Sequence, residues 1–166
     1  MSEISASLVK ELRERTGMGM MDCKQALVTT KGDISLAIEE LRKSSGIKAS
    51  KKVGRSAADG VIRVEISNSK AFMVEINCET DFVAKDENFI QFSKSVADAI
   101  LISKVEQVQD LNLVLLDNGK TIEEARVELV SKVGENIFVR RYKKISNSTN
   151  NVTDHGSRPR YIYIPN

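Results

Sequence analysis

Apolar side chains recur at helical spacing through the first part of the chain. A first stripe at residues 8–12 ends before Gly17, and a second stripe spans residues 20–27. Asp33 is a good N-cap for a third helix that carries its own apolar stripe. Helices this short are not stable alone. Residues 1–45 are therefore predicted to pack together as a three-helix module.

A basic segment follows this module. From Arg42 to Arg55 the chain carries six basic residues and no acidic one, with Gly and Ser between them. This composition is typical of a connecting segment rather than of a core element. We therefore predict a basic linker at residues 46–56.

Beyond the linker the period of the pattern changes to two. Ile62, Val64 and Ile66 alternate with polar neighbours, and after a polar turn the stretch 72–78 alternates in the same way. Such alternation predicts an antiparallel hairpin with one buried face. We assign Ile62, Val64, Ile66 and the apolar positions of 72–78 to that buried face.

Two helices and a third strand are predicted after the hairpin. Asp86 is a cap for the first helix, and Thr121 with Glu124 forms a capping box for the second. Residues 136–145 are then predicted to form a third strand. The order strand, strand, helix, helix, strand predicts an α+β core at residues 57–145, with a small three-stranded antiparallel sheet packed against helices.

Several classes of function are disfavoured by composition. The 25 basic and 23 acidic residues give a net charge of +2, so direct binding of nucleic acid is not expected. Two cysteines without close spacing and one histidine give no pattern for a metal or a cofactor, and they favour a reducing cytoplasm. The chain has no apolar run of about 20 residues, so we expect no membrane span. The polar tail at 146–166 is predicted to be disordered or divergent.

Three stretches are specific enough to indicate a family. The sequences ASLVKELRERTGMGMMDCKQAL at 6–27, NCETDFVAKDENF at 77–89 and SKVGENIFVRR at 131–141 resemble signature regions of bacterial elongation factor Ts. Their order and separations also match that family. Its members continue into a second half of the core, so the resemblance leads us to expect a C-terminally truncated member.

The resemblance implies a fold and a function. It implies a three-helix module like ubiquitin-associated domains, followed by the first half of the family's core. It also implies a guanine-nucleotide exchange factor, and not an enzyme, whose partner is elongation factor Tu in its GDP-bound and nucleotide-free forms. The core residues expected to enter that partner near its Mg²⁺ and phosphate site are Thr80, Asp81, Phe82 and Val83. The module residues expected to dock on it are Arg13, Thr16, Gly17, Met18, Gly19 and Met20.

Alternative interpretations remain at this point. Phe82 could be a core residue that joins a helix to the sheet, since buried aromatics are common at such junctions. Against this, burying Asp81 beside it without a partner is costly. An exposed pair suits an aromatic anchor for a partner's pocket. Two other functions are a module that binds elongation factor Tu without full exchange activity and an RNA-binding ribosome-associated protein. An unpaired sheet edge also leaves room for a homodimer.

Overall fold

The computed structural model describes residues 4–67, 70–105, 107–146 and 160–164. It confirms the α+β class, with helices at the start of the chain followed by an antiparallel sheet packed against further helices. The helices are α1 (Ala6–Thr16), α2 (Met20–Thr29), α3 (Ile34–Ser50), α4 (Asp81–Ala84), α5 (Glu87–Ile102) and α6 (Ile122–Val133), with a short 3-10 helix at Val108–Leu113. The strands are β1 (Asp59–Ser67), β2 (Lys70–Cys78), β3 (Phe138–Ser146) and β4 (Arg160–Ile164).

Helices α1 to α3 pack around a small apolar core of their own. Leu12, Cys23 and Leu27 are fully buried there, together with Ala37 from α3. The predicted cap is present, because the Leu36 backbone N–H donates to Asp33 Oδ1 at 2.9 Å. The prediction of three packed helices at the start of the chain is confirmed.

The predicted linker is wrong for its first residues, because α3 continues through them to Ser50. Ala49, near the end of α3, is buried in the larger core that the sheet also lines. Lys48 Nζ lies 2.7 Å from Asp22 Oδ1 on α2. The lysines of this segment keep their charged ends in solvent or in ion pairs while small residues face inward. A basic composition therefore did not prevent helix formation, and α3 joins the helical module to the core.

The sheet is antiparallel and has the strand order β3-β2-β1-β4. On β2 the predicted inward set is correct, since Phe72, Val74, Ile76 and Cys78 are all buried in the core. Helices α5 and α6 contribute the opposite side of that core.

The predicted inward face of β1 is wrong by one residue. Val61 pairs with Ile76 and Arg63 pairs with Val74, so these two β1 residues share the helix side of the sheet. Arg63 is 4% exposed, and its Nε donates to Ser93 Oγ of α5 at 2.9 Å. A shift of one position exchanges the faces of a whole strand. The residues Ile62, Val64 and Ile66 therefore lie on the face that the helices leave open.

A fourth strand extends the sheet. Residues 160–164 pair antiparallel with β1, with Ile162 opposite Ile62. The prediction of a disordered tail is therefore wrong for this stretch, where alternating Tyr and Ile provide high β-propensity. The rest of the predicted tail, 147–159 and 165–166, lies outside the described residues.

Candidate partner-binding site

The connection between β2 and α5 is the short helix α4. Thr80 is its N-cap, and its Oγ1 accepts a hydrogen bond from the Val83 backbone N–H at 3.4 Å. Ala84 is buried, and Val83 packs against the main core. The sequence predicted only a turn here. The structure shows a capped helical turn whose inner side is fixed to the core.

Phe82 lies on the outer side of α4 and is 82% exposed, the highest value of any large hydrophobic side chain that the structure describes. The core-residue interpretation of Phe82 is therefore excluded, and the exposure expected for it is observed. Asp81 is half-buried and forms an ion pair with Lys85, whose Nζ lies 2.7 Å from Asp81 Oδ2. The outer side of α4 thus presents an apolar ring beside an ion pair. That this pair enters a partner stays a prediction.

The start of α4 is held by a carboxylate that lies more than 50 residues further along the chain. Glu135 Oε2 accepts from the backbone N–H groups of Glu79 and Thr80, both at 3.0 Å, and Oε1 accepts from Thr80 Oγ1 at 2.7 Å. Gly134 ends α6 in the left-handed conformation, at φ 80°, which favours glycine. The sequence reasoning missed Glu135, although it belongs to the GENI stretch that carried part of the resemblance.

The thiol of Cys78 lies beneath the same turn. Its Sγ donates to the Thr80 carbonyl at 3.3 Å, and the side chain is fully buried. Burial raises the pKa of Cys78 to about 12, and the negative charges of Glu135 and Asp59 act in the same direction. The thiol is therefore protonated at neutral pH and packs as a small apolar group rather than acting as a nucleophile.

The docking residues predicted in the helical module do not form one surface. Arg13, Gly19 and Met20 are exposed, whereas Thr16 is half-buried and donates from Oγ1 to the Leu12 carbonyl at 2.8 Å. Gly17 ends α1 in the left-handed conformation, at φ 67°.

That Met18 belongs to the docking surface stays a prediction. Met18 is 6% exposed and packs into the core of the module with Leu12 and Cys23. The physical reason is local, because Gly17 and Gly19 on either side have no side chains with which to cover that core. Most of the Met18 side chain therefore supports the surface from beneath, and the remainder lines a pocket together with Thr16 and Lys132.

An apolar groove runs along the module between α1 and α2. Its volume is about 610 Å³, and it is lined by Ile4, Ala6, Val9, Lys10, Arg13, Met20, Met21 and Lys24. Met21, which the sequence reasoning did not select, is 76% exposed, and Met20 is 58% exposed. Exposed methionines adapt to irregular partner surfaces. Three basic residues at this groove favour a partner that offers apolar side chains beside acidic ones.

Phe82 on α4 and the groove of the module are thus two exposed apolar features of the kind that is common at protein–protein interfaces. In the part of the chain that the structure describes, no group of three or more His, Cys, Asp or Glu side chains is arranged to hold a metal ion. No helix among these residues has both the length and the apolarity that crossing a bilayer requires.

Comparison with known proteins agrees with the resemblance seen in the sequence. The family model described as Elongation factor TS matches residues 79–158, a range that includes α4 and Glu135. Elongation factor Ts of Acinetobacter baylyi is 52% identical over 158 residues, covering 95% of this chain and 54% of the relative. The proteins of the same name from a Psychrobacter species and Salmonella agona are 51% and 52% identical over 158 residues, again 95% of this chain and 54% and 53% of each relative. The chain belongs to the elongation factor Ts family, and it spans about half the length of these curated relatives.

Proposed function

We propose that this chain is a translation elongation factor that binds elongation factor Tu in its GDP-bound form and promotes release of GDP. In this proposal Asp81 and Phe82 enter the GTPase near its Mg²⁺ and phosphate site. The observation that carries the proposal is the exposure of Phe82, at 82%, on a helical turn fixed to the core at its other side. The family of the chain supports the same assignment.

The proposed mechanism needs no covalent chemistry. A protein promotes nucleotide release at equilibrium only if it binds the nucleotide-free partner more tightly than the GDP-bound partner, and this coupling is reciprocal. A GTPase holds GDP largely through phosphate contacts and Mg²⁺. An aromatic ring that inserts between elements holding the metal and phosphates has this selective effect, because the ring fits only when those elements move apart.

The ion pair on α4 adds a condition to this mechanism. Asp81 is paired with Lys85 in the free chain, so its negative charge is partly compensated there. To repel phosphate or to compete for Mg²⁺, Asp81 has to separate from Lys85 when α4 enters the partner. Phe82 needs no such change. We therefore assign the larger part of the effect to Phe82.

The helical module is proposed to supply affinity rather than exchange. Its groove presents Met20 and Met21 beside basic residues, an arrangement that suits an acidic helix or turn of the GTPase. Binding without full exchange activity is the second candidate function. It would require the groove of the module but not the entry of Phe82 into the GTPase.

RNA binding has less support from the arrangement of charges. Lys48 is paired with Asp22, and Arg140 and Arg141 both lie close to Glu75, so part of the positive charge that motivated this hypothesis is compensated. Homodimer formation and a cytoplasmic location stay predictions. For a homodimer, the sheet edges formed by β3 and β4 are the places at which another strand would pair.

The proposal is tested by measuring release of fluorescent GDP from elongation factor Tu, with the Phe82→Ala variant beside the unchanged chain. Loss of an aromatic anchor at the centre of an interface costs about 2 kcal/mol, so we expect stimulated release to fall about thirtyfold. Leu113→Ala is a matched control, because Leu113 is 79% exposed, and it should leave release unchanged. A chain that binds the GTPase but gives no stimulation would support the second candidate, and stimulation that is unaffected by Phe82→Ala would overturn the assignment of Phe82.

A further inference from the structure

Two segments that are distant in the sequence hold each other through reciprocal hydrogen bonds. Glu135 accepts from the backbone of Glu79 and Thr80, and Glu79 Oε1 in turn accepts from the Asn136 backbone N–H at 2.6 Å. Asn136 Nδ2 also donates to the Arg55 carbonyl at 3.0 Å. The end of β2 is therefore fixed directly to the segment that follows α6.

We propose that Glu135 is a positioning residue for Phe82, which it orients through the N-cap of α4. This inference rests on the proposed function, because it concerns how the same site is held. Glu135 does not reach the exposed side of α4, and its three hydrogen bonds all end on Glu79 and Thr80. Its effect on a partner is therefore indirect.

The hydroxyl group of Thr80 carries this effect. It has one proton, which it donates to Glu135 Oε1 at 2.7 Å. A lone pair of the same oxygen then accepts from the Val83 N–H, and the Thr80 carbonyl accepts from the Ala84 N–H at 3.1 Å. The carboxylate thus fixes the rotation of the one hydroxyl that caps the turn bearing Phe82. A helix of four residues has little stability apart from such contacts.

Holding α4 rigidly matters because a partner gains affinity from an anchor that is already in its bound orientation. Phe82 has almost no contact of its own to restrain it, since it is 82% exposed. Its direction is set by the backbone of α4, and that backbone is set by Thr80 on one side and by buried Ala84 on the other. If the Thr80 end is loosened, the ring is exposed as before but its direction is less defined.

The first test uses Glu135→Gln in the full chain, without a partner. The amide nitrogen of Gln cannot accept the Thr80 hydroxyl proton, so residue 135 no longer fixes the rotation of that hydroxyl. We expect the hydrogen-exchange rates of the Val83 and Ala84 amides to rise about tenfold, while those in the middle of α5 stay the same. Glu128→Gln is the matched control, because Glu128 also lies in this part of the chain and its partner is Lys120 rather than α4. Unchanged rates at both amides would overturn the proposal.

The second test is a double-mutant cycle in the release of GDP from elongation factor Tu, with Glu135→Gln, Phe82→Ala and the two together. If Glu135 acts by orienting Phe82, Glu135→Gln lowers release about tenfold in the unchanged chain and has no further effect once Phe82 is replaced. Equal effects of Glu135→Gln with and without Phe82 would overturn the positioning role. Such additivity is what a general loss of stability would produce.

The two tests distinguish failure of this inference from failure of the proposed function. If Phe82→Ala leaves GDP release unchanged, the proposed function fails, and the amide exchange rates still decide whether Glu135 orders α4. If Glu135→Gln prevents folding, Glu135→Asp replaces it, since Asp keeps the charge but is one methylene too short to hold all three donors at once. An exchange rate for the Val83 amide above that of the unchanged chain is then expected, and a rate equal to that of the unchanged chain would overturn the inference.

Discussion

The turn at α4 and the loop between α1 and α2 are both predicted to contact a partner, yet their large apolar residues differ in exposure. Phe82 in α4 is 82% exposed, whereas Met18 in the loop is 6% exposed. Both residues are apolar and both stand in short connections. Residue type therefore does not decide which of them faces solvent.

The adjacent residues decide which of the two side chains is exposed. In α4, Val83 and Ala84 already cover the core, so Phe82 is not needed there and points outward. In the loop, Gly17 and Gly19 have no side chains, and Met18 alone provides the apolar group that packs with the module's core. An apolar residue in a turn is available to a partner only when adjacent residues supply the packing beneath it.

The prediction with the largest expected effect compares the stability contributions of two phenylalanines in the same stretch of sequence. Phe89 is fully buried, so Phe89→Ala should lower the free energy of unfolding by about 3–5 kcal/mol. Phe82→Ala should change it by less than about 0.5 kcal/mol, because an exposed ring makes few contacts. Urea denaturation followed by circular dichroism measures both values. A loss of stability for Phe82→Ala similar to that for Phe89→Ala would mean that Phe82 packs against the fold.

A second prediction concerns the helical module. Met18→Ala removes a buried side chain and should lower the free energy of unfolding by about 2 kcal/mol, whereas Met20→Ala should be nearly neutral because Met20 is 58% exposed. The order should reverse in binding to elongation factor Tu, where Met20→Ala weakens affinity at unchanged stability. Calorimetric unfolding and titration measure the two quantities. If Met20→Ala left the affinity unchanged, the groove would not be the docking surface.

Local signals in the sequence predicted the helix caps and the class of fold correctly. Asp33, Asp86 and Thr121 each cap the helix assigned to them, because a cap depends on residues within one turn of itself. The face of β1 was not predictable in this way. Arg63 is buried because Ser93 and the Ile90 carbonyl on α5 satisfy its guanidinium, and those partners lie about 30 positions away in the sequence.

The same limit applies to the candidate site. The position of Phe82 between a strand and a helix was visible in the sequence, and the resemblance gave it a role. The contact from Glu135 was not visible, since it joins residues more than 50 positions apart. The burial of Ala49 was hidden for a different reason, because the basic residues around it dominate the composition of that segment.

The prediction with the smallest expected effect concerns the pH dependence of stability at the other end of the α4 turn, where Asp86 caps α5. Burial alone would raise the pKa of Asp86. Hydrogen bonds from the Asn88 side chain and from the backbone N–H groups of Asn88 and Phe89 lower it, and so does the charge of Lys132. Together these interactions outweigh burial and hold the pKa of Asp86 below the ordinary aspartate value of 3.8. A carboxylate with a lowered pKa in the folded state adds stability above its unfolded pKa and loses that contribution as the pH falls through the folded value.

Asp86→Asn keeps an oxygen for the cap but has no charge to titrate. The unchanged chain should therefore be the more stable of the two at neutral pH, and this difference should shrink as the pH is lowered through the range in which Asp86 takes up a proton. Urea denaturation at a series of pH values measures the difference. Because only Lys85 separates Asp86 from α4, a matching rise in the hydrogen-exchange rate of the Lys85 amide at low pH would show that the turn bearing Phe82 is held from this side as well. Parallel stability curves for the two chains would mean that the charge of Asp86 contributes nothing, and that the hold on α4 comes from Thr80 and the core.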